Sequence, residues 1–456
     1  MTTRRSFTKR TAAVLTAPLI FPQLGWPANK NSRVQHACIG VGGMGGNDFA
    51  NFLAHPKTDI VAICDVDANA ARSAAAKAAK ARQYADWRLL FEQEGDKIDS
   101  VNVAVPDHMH ASIVMTALQR KKHAYCQKPM CHDVAEVRAL NEVSARHGLV
   151  TQLGTQHASG SGDRMAVQWM REKLVGKVQR VLLCSNRSSG MAYRRTKPRP
   201  ANPDPVPANL DWDLWLGTAP SRPFNKDIYH PAMWRTWQDF GTGWSGDIGC
   251  HIFDAVWKGL SLQPPKSVVA KTVASFDDPA VRKELWSAGN HITWEMPGTE
   301  FTDGDFSLEW FDGVELYPPA ELMKIYTDPA TGWGETKFPE EAAMVVGTEG
   351  TLVLPHSRAY ALLHPKAKFA KIEKPKFDGR NHYHHFLDAI LGTVKNESHF
   401  QQTGPMTEAI LLGTVAIRMS GTKLAWDHQK MTTDNATANT LLRRTYRDGW
   451  KIEGLG

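Results

Sequence analysis

The chain has 456 residues, with 54 Lys+Arg against 47 Asp+Glu, and 42% of it is hydrophobic. That length suits two or three domains with real cores, and a charged fraction of 22% excludes a disordered or low-complexity chain. No apolar run approaches the roughly 18 residues a membrane span needs, and six Cys make no disulfide framework.

The formal charge of +7 is concentrated at the start, where Arg4, Arg5, Lys9, Arg10 and Lys30 stand without an acid among residues 1–30. Without those five, 49 cationic side chains face 47 anionic ones, too even a balance for nucleic-acid binding. Arg4-Arg5-Ser6-Phe7 and then an apolar stretch from Thr11 to Phe21, broken by Pro18, resemble a twin-arginine export signal. Residues 1–30 are therefore expected to be a leader read by the twin-arginine machinery. The mature protein is expected to be periplasmic or otherwise exported, without stable membrane insertion. Cys38, Cys64, Cys126 and Cys184 lie in strand-like apolar runs and read as buried thiols.

Residues 34–39 predict a short strand, followed by Gly40-Val41-Gly42-Gly43-Met44-Gly45 and a helical pattern through Phe49, Phe52 and Leu53. A second strand over 58–64 ends at Asp65, twenty residues past Gly45. Strand, glycine turn, helix, strand and acid in this order form the dinucleotide fingerprint. Gly40 permits the turn, Gly42 lets the backbone approach a pyrophosphate, and Gly45 allows close helix packing. Gly43 and Met44 complete the cradle at the positive end of the helix. Asp65 suits ribose hydroxyls and would repel a 2′-phosphate, which favours NAD over NADP. Strands over 98–105, 123–126 and 149–153 alternate with helices over 107–119 and 133–146, which predicts a parallel, doubly wound sheet over 33–155. Asp65, Pro106, His108 and Gln127 stand at carboxyl ends of strands, where such sheets bind ligands. Of His108 and His110, one is expected at the nicotinamide or substrate and the other at a helix start.

Several motifs in order resemble the glucose–fructose oxidoreductase / inositol dehydrogenase / rhizopine-catabolism (Gfo/Idh/MocA) family. They are the glycine fingerprint, Ala104 to His110, Lys128-Pro129, Leu210 to Gly217, Trp234-Arg235-x-Trp237, Gly241 to His251, Gly347 to Leu352 and Leu424 to Asp427. The resemblance implies a Rossmann domain followed, over 156–456, by a C-terminal α/β domain with a large, mostly antiparallel sheet that binds substrate and forms homodimers or homotetramers. It implies Lys128 as the group that stabilises the reacting oxygen, His251 as proton acceptor and Asp247 as its helper, four residues earlier on one helix face. The family's Glu-Lys-Pro tripeptide is here Gln127-Lys128-Pro129, and a Gln cannot serve as a base.

Tyr229, Trp234 and Arg235 precede the Asp–His pair and are candidates to stack on and bond a sugar, although Trp234 and Trp237 read equally well as core. Asp247 and His251 supply only two potential metal ligands with no third nearby, so no metal is expected. His382, His384 and His385 read as a helix start, and Arg194 to Pro207 as a rigid solvated loop. The expected activity is an NAD-dependent oxidation of a sugar, polyol or glycoside, with the cofactor held tightly and recycled in the same site. The alternatives are a glycoside-cleaving or epimerising enzyme working through a transient keto-sugar, and a non-catalytic sugar- or nucleotide-binding protein.

Overall fold

A computed structural model describes residues 33–187, 190, 194–313, 316–327 and 337–455. The leader read over residues 1–30 lies outside the described residues.

The first six strands are β1 (Val34–Ile39), β2 (Thr58–Cys64), β3 (Arg82–Tyr84), β4 (Ser100–Val103), β5 (His123–Cys126) and β6 (Thr151–Leu153). They pair in parallel in the order β3-β2-β1-β4-β5-β6. Ala37, Cys38, Ile39, Val101, Val103, Ala124 and Cys126 are buried, because helices cover both faces of a parallel sheet. The predicted helices lie at Asp107–Gln119 and Val134–His147. The second is delimited locally, by a capping box between Asp133 and Glu136 at its start and by Gly148 at φ 60° at its end.

Nine further strands form the second sheet: β7 (Val178–Ser185), β8 (Ser267–Thr272), β9 (Asn290–Met296), β10 (Thr302–Asp312), β11 (Glu341–Gly347), β12 (Thr351–Pro355), β13 (Leu362–His364), β14 (Leu424–Asp427) and β15 (Thr432–Thr433). Their order is β13-β12-β11-β7-β10-β9-β8-β14-β15, antiparallel except where β10 pairs with β7. One face carries the buried helices Gly243–Gly259 and Phe400–Arg418, with Trp294 wedged between sheet and helix and donating its indole N–H to the Ala409 carbonyl. Among the described residues no helix is long and apolar enough to cross a membrane.

Late segments of the chain return to the first sheet. The helix His382–Ile390 lays Tyr383 and Phe386 against Phe52 of the helix Gly43–Leu53, with ring centroids 5.5 and 6.2 Å apart. His382 opens that helix and is itself buried, bonded to Ser159 and to the Leu153 carbonyl. Arg444, from the last segment, reaches Glu136 at 2.8 Å. The nucleotide-binding layer is thus finished by residues more than 200 positions downstream.

Candidate active site

The glycine turn leaves β1 through Gly40 at φ +79°, where an added Cβ would stand 2.3 Å from the Ala104 carbonyl oxygen. A Cβ on Gly45 would meet the Gly40 oxygen at 2.2 Å, so turn and helix touch backbone to backbone. Gly43, at φ +50°, faces open space with nothing within 4 Å of its Cβ position, and Met44 is half exposed beside it. The helix that follows has no side-chain cap and no acid in its first turn, so its positive end is left for an anion. Asp65 accepts hydrogen bonds from the Val41, Gly42 and Asp67 amides at 2.8, 3.2 and 2.9 Å. A carboxylate has further acceptor sites, so ribose hydroxyls remain within its capacity. These features fit a dinucleotide diphosphate.

At the end of β5, the Lys128–Pro129 bond is cis. The Lys128 ammonium donates to Asp247 Oδ1 at 2.9 Å and to the Asp247 carbonyl at 3.1 Å. Arg235 Nε adds a third contact to Asp247 Oδ1 at 3.2 Å. Burial alone would raise the Asp247 carboxyl, but Lys128 and then Arg235 overrule it and hold it down at about 2. His251 lies one turn further along the same helix, buried, with its Nδ1 lacking a partner. Burial first, then Lys128 and the neighbours His356, His157 and Arg187, keep it neutral.

Other expected contacts fall differently. His108 is fully buried between Trp215 and Phe240, with centroids 5.6 and 5.2 Å away, and its Nε2 meets the Trp215 carbonyl at 3.1 Å. It is packed there against the segments that carry Trp215 and Phe240. His110 is equally buried, wedged between the carbonyls of Pro129 and Val105 at 2.7 and 2.8 Å. Pro106 precedes both, at the half-buried start of their helix. Tyr229 is 0% exposed within a cluster of Trp212, Trp215, Trp237 and Phe240. Trp234 is 6% exposed and the Arg235 guanidinium covers its ring at 4.3 Å, which removes it as a stacking platform. Arg235 belongs instead to the charged cluster around Asp247. In the Pro-rich loop region, Arg194 turns inward to Asp312 at 3.5 Å, whereas residues from Lys197 to Ala208 are mostly exposed.

Gln127 is buried, 4% exposed. Its Nε2 donates to both oxygens of Asp48, at 3.0 and 2.9 Å. Burial pushes Asp48 up to about 7, against the opposing pull of Gln127 and Tyr383. The departure from Glu-Lys-Pro therefore has a local cause, since a Glu at 127 would face a second buried carboxylate. Raised above its ordinary 3.8, the Asp48 carboxyl costs stability progressively as pH rises from that value to about 7. Gln127→Glu adds a second group of the same kind. It is expected to lower the melting temperature by several degrees at pH 8, on the order of 2 kcal/mol, and by much less at pH 5. Equal losses at both pH values, measured by thermal melts, would show that the two carboxylates do not interact.

The site has three further residues, Asp107, His157 and His356. Asp107 follows Pro106 directly, so its strand-end position was a readable signal. Its Oδ2 accepts from the Thr242 amide at 3.1 Å and hydroxyl at 2.9 Å, which ties the first domain to the start of the Asp247 helix. Burial and the negative Asp247 raise it to about 7. His157 comes just past β6, again at a carboxyl end. His356, just past β12, carried no signal in the sequence.

Together, the Rossmann sheet with its glycine cradle and the Lys–Asp–Arg cluster at the sheet's carboxyl edge define a dinucleotide-binding fold with a buried charged site at its edge. Residues 34–155 match the family model described as oxidoreductase family, NAD-binding Rossmann fold, and residues 174–278 match its C-terminal alpha/beta domain. These two segments are thus similar to the two domains of the Gfo/Idh/MocA oxidoreductase family. Among curated proteins it is 35% identical over 130 residues to a glycosyl hydrolase family 109 protein of Streptomyces niveus, covering 27% of this chain and 26% of that protein. It is 21% identical over 342 residues to the levoglucosan dehydrogenase of Pseudarthrobacter phenanthrenivorans, covering 64% of this chain and 78% of that one. The chain thus spans about a quarter of the first relative's length, against about a third for the inositol 2-dehydrogenases it matches at 28–29% identity. In fold it is similar to the WlbA dehydrogenase from Bordetella pertussis in complex with NADH and UDP-GlcNAcA, with TM-score 0.58 and 15% identity over 87% of this chain and 99% of that one. It is also similar to the aldose-aldose oxidoreductase from Caulobacter crescentus, with TM-score 0.57 and 13% identity over 86% and 100% of the two chains.

Proposed function

We propose that the protein is an NAD-dependent oxidoreductase acting on a sugar, polyol or glycoside, exported with its cofactor retained and recycled in one site. The observation that carries this reading is the Lys128 ammonium, 11% exposed and held at 2.9 Å by Asp247 beside the nucleotide fold. NAD, when bound, supplies the hydride-accepting ring, and the glycine turn and Asp65 are the residues that would hold it.

Lys128 presents a cation to the carbinol oxygen and stabilises charge that develops there. Asp247 fixes that ammonium and, with its carboxyl near 2, stays ionised throughout neutral pH. Arg235 shares the carboxylate through Nε and donates Nη1 to the Ala232 carbonyl, which fixes its guanidinium beside the ammonium's partner. His251, neutral and without a partner at Nδ1, is the group that takes the hydroxyl proton. Recycling in place follows from the expected export, because no dinucleotide pool outside the cytoplasm would reoxidise a released cofactor.

A second reading, cleavage of a glycoside through a transient keto-sugar, is favoured by the segment similar to the glycosyl hydrolase family 109 protein. A ring carbonyl acidifies the adjacent C–H, and elimination then expels the glycosidic oxygen. The test begins with protein purified from cytoplasm, denatured, with the released nucleotide identified by mass. Sugars and glycosides are then screened by the absorbance of reduced nicotinamide, with Lys128→Ala as control. Substrate-dependent reduction supports the first reading, and release of free sugar without net reduction supports the second. Protein that carries no nucleotide and reduces none would leave a binding function.

A further inference from the structure

His157, His251 and His356 come from three separate elements: the turn Gln156–Ser159, the helix Gly243–Gly259 and the residue after β12. Their ring centroids lie 5.5 Å apart for His157–His251, 5.5 Å for His251–His356 and 4.4 Å for His157–His356. Two imidazoles joined end to end by a hydrogen bond of about 2.9 Å have centroids about 5 Å apart; here His251 Nδ1 has no direct partner, and at these separations one water can bridge each ring to the next. Among the described residues no three His, Cys, Asp or Glu side chains are arranged to hold a metal ion, and two of the three ring pairs cross at 73°. His251 is 7% exposed, whereas His157 and His356 are half-buried, so the cluster leads outward from the catalytic helix.

We propose that His157 and His356 are a proton relay, carrying the substrate's hydroxyl proton from His251 to solvent and returning it when the reaction runs backwards. The proposal rests on the reading of His251 as proton acceptor. The need for a relay follows from what surrounds that imidazole. Lys128 faces it from the end of β5, His157 from beyond β6, Arg187 from beyond β7 and His356 from beyond β12, with Asp247 one turn earlier on its own helix. Arg187 is itself paired with Glu341 at 3.5 Å. A buried imidazole among these cations cannot keep a proton, and burial likewise holds both outer histidines below their ordinary value. Each ring therefore passes the charge on. Neutral imidazole has one donor and one acceptor nitrogen, so a ring takes a proton on one side and gives it up on the other.

In the oxidation, the substrate O–H bond breaks and its proton bonds to His251. Both electrons of the carbinol C–H leave with the hydride to the nicotinamide. His251 then yields a proton through a bridging water to His356 or His157, and that ring yields one to solvent, so the site ends neutral. In an internal redox cycle the same chain returns the proton.

The test uses cofactor-loaded, full-length His157→Gln, His356→Gln and double variants. Nicotinamide reduction and proton release to a pH-indicator dye are followed together in stopped flow with a sugar active on the wild type. The expected result is retained nucleotide, reduction slowed about tenfold or more in the double variant, and partial rescue by added imidazole. A second readout needs no substrate. With ring-labelled histidine, NMR titration should show the His251 midpoint rising in the double variant, because two neighbours that disfavour its protonation are gone. Unaltered reduction and an unmoved His251 midpoint in the double variant would overturn the relay while leaving the Lys128-dependent oxidoreductase intact. A stoichiometric zinc ion in the wild type that is lost from the variants would also overturn it. If Lys128→Ala reduces the cofactor as fast as wild type, the parent reading fails instead.

Discussion

Replacing Lys128 by alanine is expected to lower kcat/KM for the proposed sugar or polyol oxidation by about 10²–10³-fold, the usual cost of deleting one donor to a developing oxyanion. Nucleotide retention should be unchanged, because the glycine turn and Asp65 lie on other strand ends. The loss belongs in kcat more than in KM if the ammonium acts on the transition state. The variant also leaves Asp247 buried with only Arg235 beside it, at 3.2 Å. In the wild type this carboxyl is depressed below its ordinary 3.8 to about 2, so its stabilisation is present above about pH 4 and is lost as pH falls through about 2. Without Lys128 that depression shrinks, burial gains the upper hand, and acid unfolding moves to higher pH. Melting curves across acid pH, set beside steady-state and single-turnover rates, check both parts. Activity within tenfold of wild type would remove Lys128 from the chemistry.

Gly40→Ala is expected to cost about 3 kcal/mol or more and to abolish nucleotide retention. Its φ of +79° is unfavourable for alanine, and the new Cβ would lie 2.3 Å from the Ala104 oxygen and 3.0 Å from Val105 Cγ1. Ala104 directly follows β4, so relief of the clash requires β1 and β4 to part where the diphosphate cradle begins. Gly43→Ala is the control. It has φ +50° but nothing within 4 Å of the Cβ position, so it should cost only about 1–2 kcal/mol of backbone strain. Chemical denaturation and mass identification of bound nucleotide, run on both variants, decide the point. Equal losses would mean that conformation alone, not the close approach, sets the price.

How much of this was legible beforehand depended on distance along the chain. The helix Asp107–Gln119 and the strand His123–Cys126 coincide with their predicted limits, because apolar runs and turn residues specify them locally. The short strand Arg82–Tyr84 was not anticipated, since its three residues carry no alternation and lie at the sheet's edge. His108 and Tyr229 stand in motifs read for their chemistry, and the structure packs both into one aromatic cluster. A residue's direction there is set by packing against Trp215 and Phe240, which no local pattern reveals.

By itself the sequence determined the nucleotide half: a strand, a glycine turn, a helix and Asp65, all within about thirty residues, where geometry follows from local backbone preferences. It also marked Lys128 at a strand end. The tertiary structure alone decided that Asp247, 119 positions away, holds that lysine and shares its carboxylate with Arg235, that Gln127 serves Asp48, and that His157 and His356 gather around His251. Such contacts bring charges and imidazoles from several elements into one buried space, and their energies depend on burial and on neighbours that chain order does not encode.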